Sequence, residues 1–187
     1  MKKRVFIAIN LPENIKDKIE KSLESLKEDF INDALFISRN NWHITVSFLG
    51  WQGDESIYPI LKGMKETIKD FSRFKIEIDE ISYGPKNKPP RMIWLNCGKN
   101  TSKDLSALKD SLESKLMDEE LIFKQEHRQM KAHITLARFQ AADTNGLPDI
   151  KTNLNLNFEA ETMDLMESHL ARSGAKYEIM QRFPFHN

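Results

Sequence analysis

Asn41-Trp42-His43-Ile44-Thr45-Val46-Ser47-Phe48-Leu49-Gly50 and Ala132-His133-Ile134-Thr135-Leu136-Ala137-Arg138 are two passages of one chain that read alike. In each, a histidine and a threonine stand two apart, with aliphatic residues between and after them. Side chains alternate along a strand, so residues two apart share a face. On a strand, His43 and Thr45 therefore point one way while Ile44 and Val46 enter the core. His133 and Thr135 repeat this, with Ile134 and Leu136 buried. The echo predicts two lobes of related design, each lending one strand to a shared site. The two strands are expected to face each other across a cleft around one small anion.

Outward from these passages, the chain interleaves strands and helices. Val5 to Ile9 is a short β-type run. Pro12 opens a helix, where its missing N–H costs nothing, and Ile15, Ile19, Leu23, Leu26 and Phe30 form one apolar face. Trp42 to Leu49 reads as a strand. Asp54 or Ser56 caps a second helix carrying Ile57, Leu61, Met64, Ile68 and Phe71. Phe74 to Tyr83 alternates as a half-buried strand, with Phe74, Ile76, Ile78 and Glu80 on one face. Gly84 to Pro90 is the strongest loop signal. Arg91 to Asn96 is a strand, and Leu105, Leu108, Leu112 and Leu116 mark a third helix. Ala132 to Phe139 is a strand, and residues 140–153 are polar and loop-like. Leu154 to Phe158, Met163 to Leu170 and Tyr177 to Phe183 are closing strands, the last two around Ser173-Gly174. Recurrent hairpin signals predict an α+β fold with mainly antiparallel sheets and outer helices.

Composition bounds the partners. The chain has 187 residues and a formal net charge of zero, which argues against broad coating of nucleic acid but leaves room for a local phosphate pocket. No apolar run approaches a membrane span, and the segment after Met1-Lys2-Lys3-Arg4 is too short for a secretory signal. The lone Cys97 forms no intrachain disulfide, so a reducing cytoplasm is expected. In the apolar run Met92 to Cys97 it reads as a buried small hydrophobe rather than a nucleophile.

The chemistry rests on the paired motifs. Phosphodiester hydrolysis needs a proton removed from water and a proton given to the leaving oxygen. Two imidazoles with pKa values near 6.5 can divide these tasks near neutral pH. The hydroxyls of Thr45 and Thr135 can donate to the non-bridging oxygens, where negative charge builds. No metal or other cofactor is needed, and no carboxylate or cysteine stands at zinc-ligand spacing from either histidine. His127, His169 and His186 read as surface or edge positions, with Glu126-His127-Arg128 a polar turn. Trp42, Trp51 and Trp94 read as core or cleft-wall residues rather than base platforms.

The paired His-x-Thr-x motifs resemble the two-histidine phosphoesterase superfamily. Within it, the chain is similar to the RNA 2′,3′-cyclic phosphodiesterases, the 2′-5′ RNA ligase-like proteins. The resemblance runs from Arg4–Pro12 and Asn41–Gly50 through Pro90–Leu95 and His133–Arg138 to Glu167-Ser168 and Gly174–Glu178. It implies a single two-lobed domain over residues 1–187, pseudo-symmetric, with its active site in the groove between the lobes. It implies an RNA end, or a small cyclic nucleotide, whose 2′,3′-cyclic phosphate is opened to a 2′-phosphate. His43 would be the proton donor, His133 the acceptor, and Arg138 would help hold the phosphate. Alternation places Arg138 opposite His133, so that role needs a bulge or a strand end. Phe48 raises the same difficulty for stacking on a base and reads as core rather than as such a platform. Asn10 and Ser47 depart from the family, which often has an aspartate and a basic residue there, and the second departure could weaken RNA contacts. The alternatives are a 2′-5′ RNA ligase at the same site and a non-catalytic RNA-end binding module. A monomer is expected.

Overall fold

In each half the motif strand pairs with the strand that lies before the helix of that half, and that relation organises the molecule. A computed structural model describes residues 1–30, 34–86, 88–126, 129–139, 147–150, 152–171 and 174–187. Its first unit is β1 (Lys2–Asn10), the helices α1 (Glu13–Ser22) and α2 (Glu24–Asp29), and β3 (His43–Gly53) antiparallel to β1. Its second is β5 (Met92–Cys97), α4 (Lys99–Asp118), and β6 (His133–Phe139) antiparallel to β5. Between them lie α3 (Asp54–Thr67) and β4 (Phe74–Gly84), and the chain closes with β7 (Thr152–Ala160), β8 (Thr162–Ala171) and β9 (Gly174–Pro184). The short β2 (Ala34–Phe36) pairs with β6.

The strands join in the order β7-β4-β5-β6-β3-β1-β8-β9, and every ladder is antiparallel. Two halves, β9-β8-β1-β3 and β6-β5-β4-β7, thus meet at the two motif strands, through the single pair Ile44 and Ile134. The motif strands are neighbours in one sheet rather than walls facing across a cleft. The reason is their apolar residues: Ile44 and Ile134 are both fully buried, and bringing them together extends one core across both halves.

One face of the sheet carries that core. Val5, Ile7, Ile9, Ile93 and Leu95 are at most 1% exposed, and Leu105, Leu108, Leu112 and Leu116 of α4 are fully buried with them. Each such side chain contributes about 1.5–3 kcal/mol relative to exposure. Phe6, Ala8 and Met166 are also buried but form a separate cluster, on the opposite face of the same strands.

Several local details differ from expectation. The first helix breaks at Leu23, whose N–H lies 3.1 Å from the carbonyls of both Ile19 and Glu20; the tightened turn interrupts the helix without turning its apolar face, and Leu23, Leu26 and Phe30 remain buried. Neither Asp54 nor Ser56 caps α3: Gly53 stands at the cap with no side-chain hydrogen bond, Asp54 is the first helical residue with its carboxylate on the Met1 amine, and Ser56 lies inside the first turn. Glu80 does not continue the buried face of Ile76 and Ile78: a bulge at Asp79 shifts the phase, and Ile81 is buried instead. Trp42 lies in the core just before its strand, with Nε1 donating to the Ile37 carbonyl at 3.0 Å. Cys97 is buried as expected, and burial pushes its thiol up to about 12, far from a reactive thiolate. His127, Arg128, Ser173 and residues 140–146 of the expected loop lie outside the described residues. No described helix is long and apolar enough to cross a membrane.

Candidate active site

Because Ile44 and Ile134 pair on the core face, the flanking His43, Thr45, His133 and Thr135 fall together on the other face. Continuing the antiparallel pair sets His43 toward Thr135 and Thr45 toward His133. The two half-sites also share a register in detail. Along β1 and β3, Asn10 faces His43, Ala8 faces Thr45, Ile7 faces Ser47 and Phe6 faces Phe48. Along β5 and β6, Asn96 faces His133, Trp94 faces Thr135, Ile93 faces Ala137 and Met92 faces Arg138.

In each ladder the residue after the motif threonine is skipped, Val46 in β3 and Leu136 in β6. A bulge of one extra residue reverses the alternation beyond it. Ser47 and Ala137 are therefore buried, while Phe48 and Arg138 emerge on the histidine face. This supplies the bulge that Arg138 required. It also corrects the reading of Phe48: it is 43% exposed, lies 6.3 Å from Phe6 in stacked orientation and has the Arg4 guanidinium 4.8 Å from its ring centre. Ser47 turns toward α4 and donates to Glu113 at 2.8 Å, with Lys109 3.3 Å from the same carboxylate. Ser47 thus contacts α4, on the face opposite the histidines.

Both imidazoles are pinned in the same way. His43 Nδ1 lies 2.7 Å from the carbonyl of Asn41, and His133 Nδ1 lies 2.7 Å from that of Lys131. A carbonyl only accepts, so each Nδ1 carries the proton, and in the neutral ring Nε2 keeps its lone pair. The hydroxyl of Thr45 stands 3.1 Å from His43 Nε2. Asn41 is itself clasped to β9, its Nδ2 donating to the Ala175 carbonyl at 2.6 Å and its Oδ1 accepting from the Tyr177 N–H at 3.3 Å.

The rings have different neighbours. Phe6 and Tyr177 lie 4.9 and 5.1 Å from the His43 ring. Trp94 stacks on His133 at 4.0 Å. Gly84 makes room for that indole: a Cβ there would lie 2.2 Å from Trp94 Cδ2. Burial is the main reason that the His43 pKa falls to about 4, and the positive charges of His133 and Arg138 push the same way, against the Asn41 carbonyl. Those two charges act on His43 because all three groups share one site. Behind His43, Asn10 donates to Asp164 at 2.7 Å; behind His133, Asn96 donates to Ser82 at 2.7 Å.

The five residues singled out by sequence, His43, Thr45, His133, Thr135 and Arg138, share this face. Sequence reasoning missed Phe6, Asn41 and Tyr177, since no spacing links them to the histidines, and the resemblance covers all three without giving them a role; Trp94, read as a core or cleft-wall residue, lies against His133. His169 sits apart, between Glu167 and Glu178. Two cavities, of about 450 Å³ beside α4 and about 270 Å³ near Glu80 and Tyr83, also lie elsewhere, so chemistry and not volume marks the site. Among the described residues no three His, Cys, Asp or Glu side chains cluster as metal ligands.

Two His-x-Thr strands thus lie side by side at the centre of one antiparallel sheet in an α+β fold. The chain belongs to the AKAP7 2′5′ RNA ligase-like domain family, whose model matches residues 5–182. It is 30% identical to an RNA 2′,3′-cyclic phosphodiesterase of Methanocaldococcus jannaschii over 96% of this chain and 99% of the relative. Its fold is similar to that of a solved Thermus thermophilus protein, with a TM-score of 0.78 at 22% identity over 97% of each chain. It is similar also to E. coli LigT crystallised with 3′-AMP, with a TM-score of 0.77 at 21% identity over the full length of both.

Proposed function

We propose that this protein hydrolyses RNA 2′,3′-cyclic phosphate ends to 2′-phosphates without a metal. The observation that carries the reading is the symmetric pinning of two imidazoles by their Nδ1–H groups, beside two threonine hydroxyls and one arginine. A cyclic phosphate on this face is attacked by water at phosphorus while the P–O3′ bond breaks. His133 takes the proton of the water and His43 gives one to the departing 3′-oxygen. Thr45, Thr135 and Arg138 hold the non-bridging oxygens, and in-line geometry needs the two histidines on opposite sides of phosphorus. The relative from Methanocaldococcus jannaschii carries this activity in its name, and LigT was crystallised with a nucleotide. One copy of the chain supplies both histidines, one from each lobe, so residues 1–187 act as a single domain and a monomer suffices.

The lowered pKa of His43 favours a second reading in which the roles are exchanged, since a ring with a pKa of about 4 is neutral near pH 7 and is poised as a base. In the first reading His133 is neutral, and the anionic substrate, lying beside His43 and Arg138, offsets the arginine's charge and lets His43 take up its proton. With a 5′-hydroxyl in place of water as the attacking group, the same ring opening, with the P–O3′ bond broken and the 3′-oxygen protonated, would join two RNA ends through a 2′-5′ bond. The test is product analysis on a short RNA with a 2′,3′-cyclic phosphate, in excess EDTA. A 2′-phosphate product supports the reading. A 3′-phosphate product, or activity that vanishes with EDTA and returns with zinc, overturns it.

A further inference from the structure

The segments that lead into the two motif strands differ more than the strands do. Before His133 the backbone is held from within its own half. The Ala132 carbonyl accepts from the Cys97 N–H at 3.0 Å, and the Ala132 N–H donates to the Ser102 hydroxyl of α4 at 3.2 Å. Before His43 comes a single 3-10 turn, Arg39–Asn41, and polar side chains tie it to other elements. Arg39 binds Glu13, Asp17 and Glu20 of α1 at 2.6–2.9 Å. Asn41 reaches β9, the far end of its own half, β9-β8-β1-β3. That half therefore curls until its outermost strand returns to the start of β3. A carbonyl and the N–H two residues further on point to the same edge of a strand. The Asn41 amide takes both, donating to Ala175 and accepting from Tyr177, as the peptide of a neighbouring strand would. Its backbone carbonyl holds His43 Nδ1 at 2.7 Å. One residue thus carries the edge of β9 on its side chain and the imidazole on its main chain.

We propose that Asn41 is the positioning residue of His43: by seating the turn on β9, its amide fixes the carbonyl that selects the Nδ1–H tautomer and aims Nε2 at the substrate. The tautomer follows from the hydrogen bonds alone; the consequence for turnover rests on the reading of this face as an RNA-end phosphodiesterase. Which ring nitrogen carries the proton is set by the bond that the other makes. If the carbonyl drifts, the neutral ring takes its proton on either nitrogen, and the Nε2 lone pair is lost part of the time. The requirement holds for both assignments of acid and base. A base needs its lone pair at Nε2 and an acid its proton there, and in both states Nδ1–H stays on the Asn41 carbonyl. Asparagine suits the task because one short side chain supplies a donor and an acceptor together. Aspartate keeps only the acceptor, and alanine has neither.

The test reads the imidazole nitrogens by 15N NMR at about pH 8, above the ordinary histidine pKa, so that both rings are neutral. In the unaltered protein His43 and His133 are each expected as the Nδ1–H tautomer. In Asn41→Ala the His43 nitrogens move toward the averaged shifts of two tautomers, while His133 keeps its own. Asn41→Asp, which retains the bond from the Tyr177 N–H, falls between, and it decides the matter if Asn41→Ala does not fold. An unchanged His43 tautomer in the folded variant overturns the proposal, and so does an equal change at both histidines, which would report general loosening. Turnover of a 2′,3′-cyclic mononucleotide by Asn41→Ala is expected to fall about ten- to a hundredfold, the scale of a misplaced catalytic group, with KM little changed. Full turnover with a mixed tautomer overturns the proposal as well. An altered tautomer in a protein that hydrolyses no cyclic phosphate counts against the phosphodiesterase reading and leaves the hold on His43 standing; hydrolysis with an unaltered tautomer does the opposite.

Discussion

The half-site built on β3 and the half-site built on β6 share one backbone plan and differ in what surrounds it. In both, the motif strand pairs with the strand before its helix, bulges one residue after the threonine, and fixes its histidine through a carbonyl two residues earlier. Around His43 the neighbours are Phe6 and Tyr177; around His133 the neighbour is Trp94. Opposite the threonines stand Ala8 in one half and Trp94 in the other, and beyond the bulges stand Phe48 and Arg138. Equivalent backbones place the two histidines, while unequal side chains surround them. The difference teaches that one backbone plan, used twice, can carry two chemically unlike half-sites.

Loss of either imidazole is the severest way to break the comparison. His43→Ala and His133→Ala are each expected to lower turnover by about 10²–10⁴-fold, the scale of one general acid or base. A cyclic substrate with sulfur at the leaving position separates them, since a thiolate departs without protonation. Recovery in His43→Ala alone assigns the acid to His43; recovery in His133→Ala alone exchanges the roles; recovery in neither means that the histidines chiefly position phosphate.

The threonines probe the part of the site that is symmetric. Thr45→Val and Thr135→Val keep strand shape but remove a donor, and each is expected to cost about ten- to a thousandfold in turnover. Comparable losses would match the shared register. Near-normal rates in both would mean that the hydroxyls do not meet the phosphate.

Acid titration sharpens the asymmetry. With its pKa held at about 4 in the fold against an ordinary 6.5, His43 is neutral in the native protein while the unfolded chain takes up its proton. Stability is therefore lost as pH falls from about 6.5 toward 4, by up to ~3 kcal/mol from this group. Denaturant unfolding of His43→Gln at pH 7 and pH 4 should lack that part of the loss. An unchanged slope against pH would place the His43 pKa near its ordinary value.

The mildest test loosens only the His133 side. Gly84→Ala puts a methyl into the space of the Trp94 indole, with an overpacking cost of about 1–3 kcal/mol. Turnover is expected to fall several-fold while mononucleotide affinity changes little, because the stacked ring positions His133 rather than binding substrate. Full turnover would show that the indole does not orient the imidazole.

Much of this architecture was legible in the sequence. The apolar spacing of Leu105, Leu108, Leu112 and Leu116 marked α4, and the alternation of His-Ile-Thr marked which side chains share a face. A bulge before Arg138 was one of two ways to bring that side chain to the histidine face, but the other departures from simple period escaped: the break at Leu23 and the bulges at Val46, Leu49 and Asp79. A bulge is decided by how two strands pair, and its partner lies far away in the chain. Phe48 and Trp51, both exposed, accordingly looked like core or wall residues when their own strand was read by itself.

By itself the sequence determined the α+β class, the two His-x-Thr half-sites and the burial of Ile44 and Ile134, because these follow from local periodicity and the hydrophobic effect. Only the tertiary structure decided that the half-sites are neighbours in one sheet. It alone set Arg138 and Phe48 on the histidine face, and enclosed His43 with Phe6 and Tyr177 strongly enough to draw its pKa down. Strand register and desolvation are properties of segments packed together, and no single segment carries them.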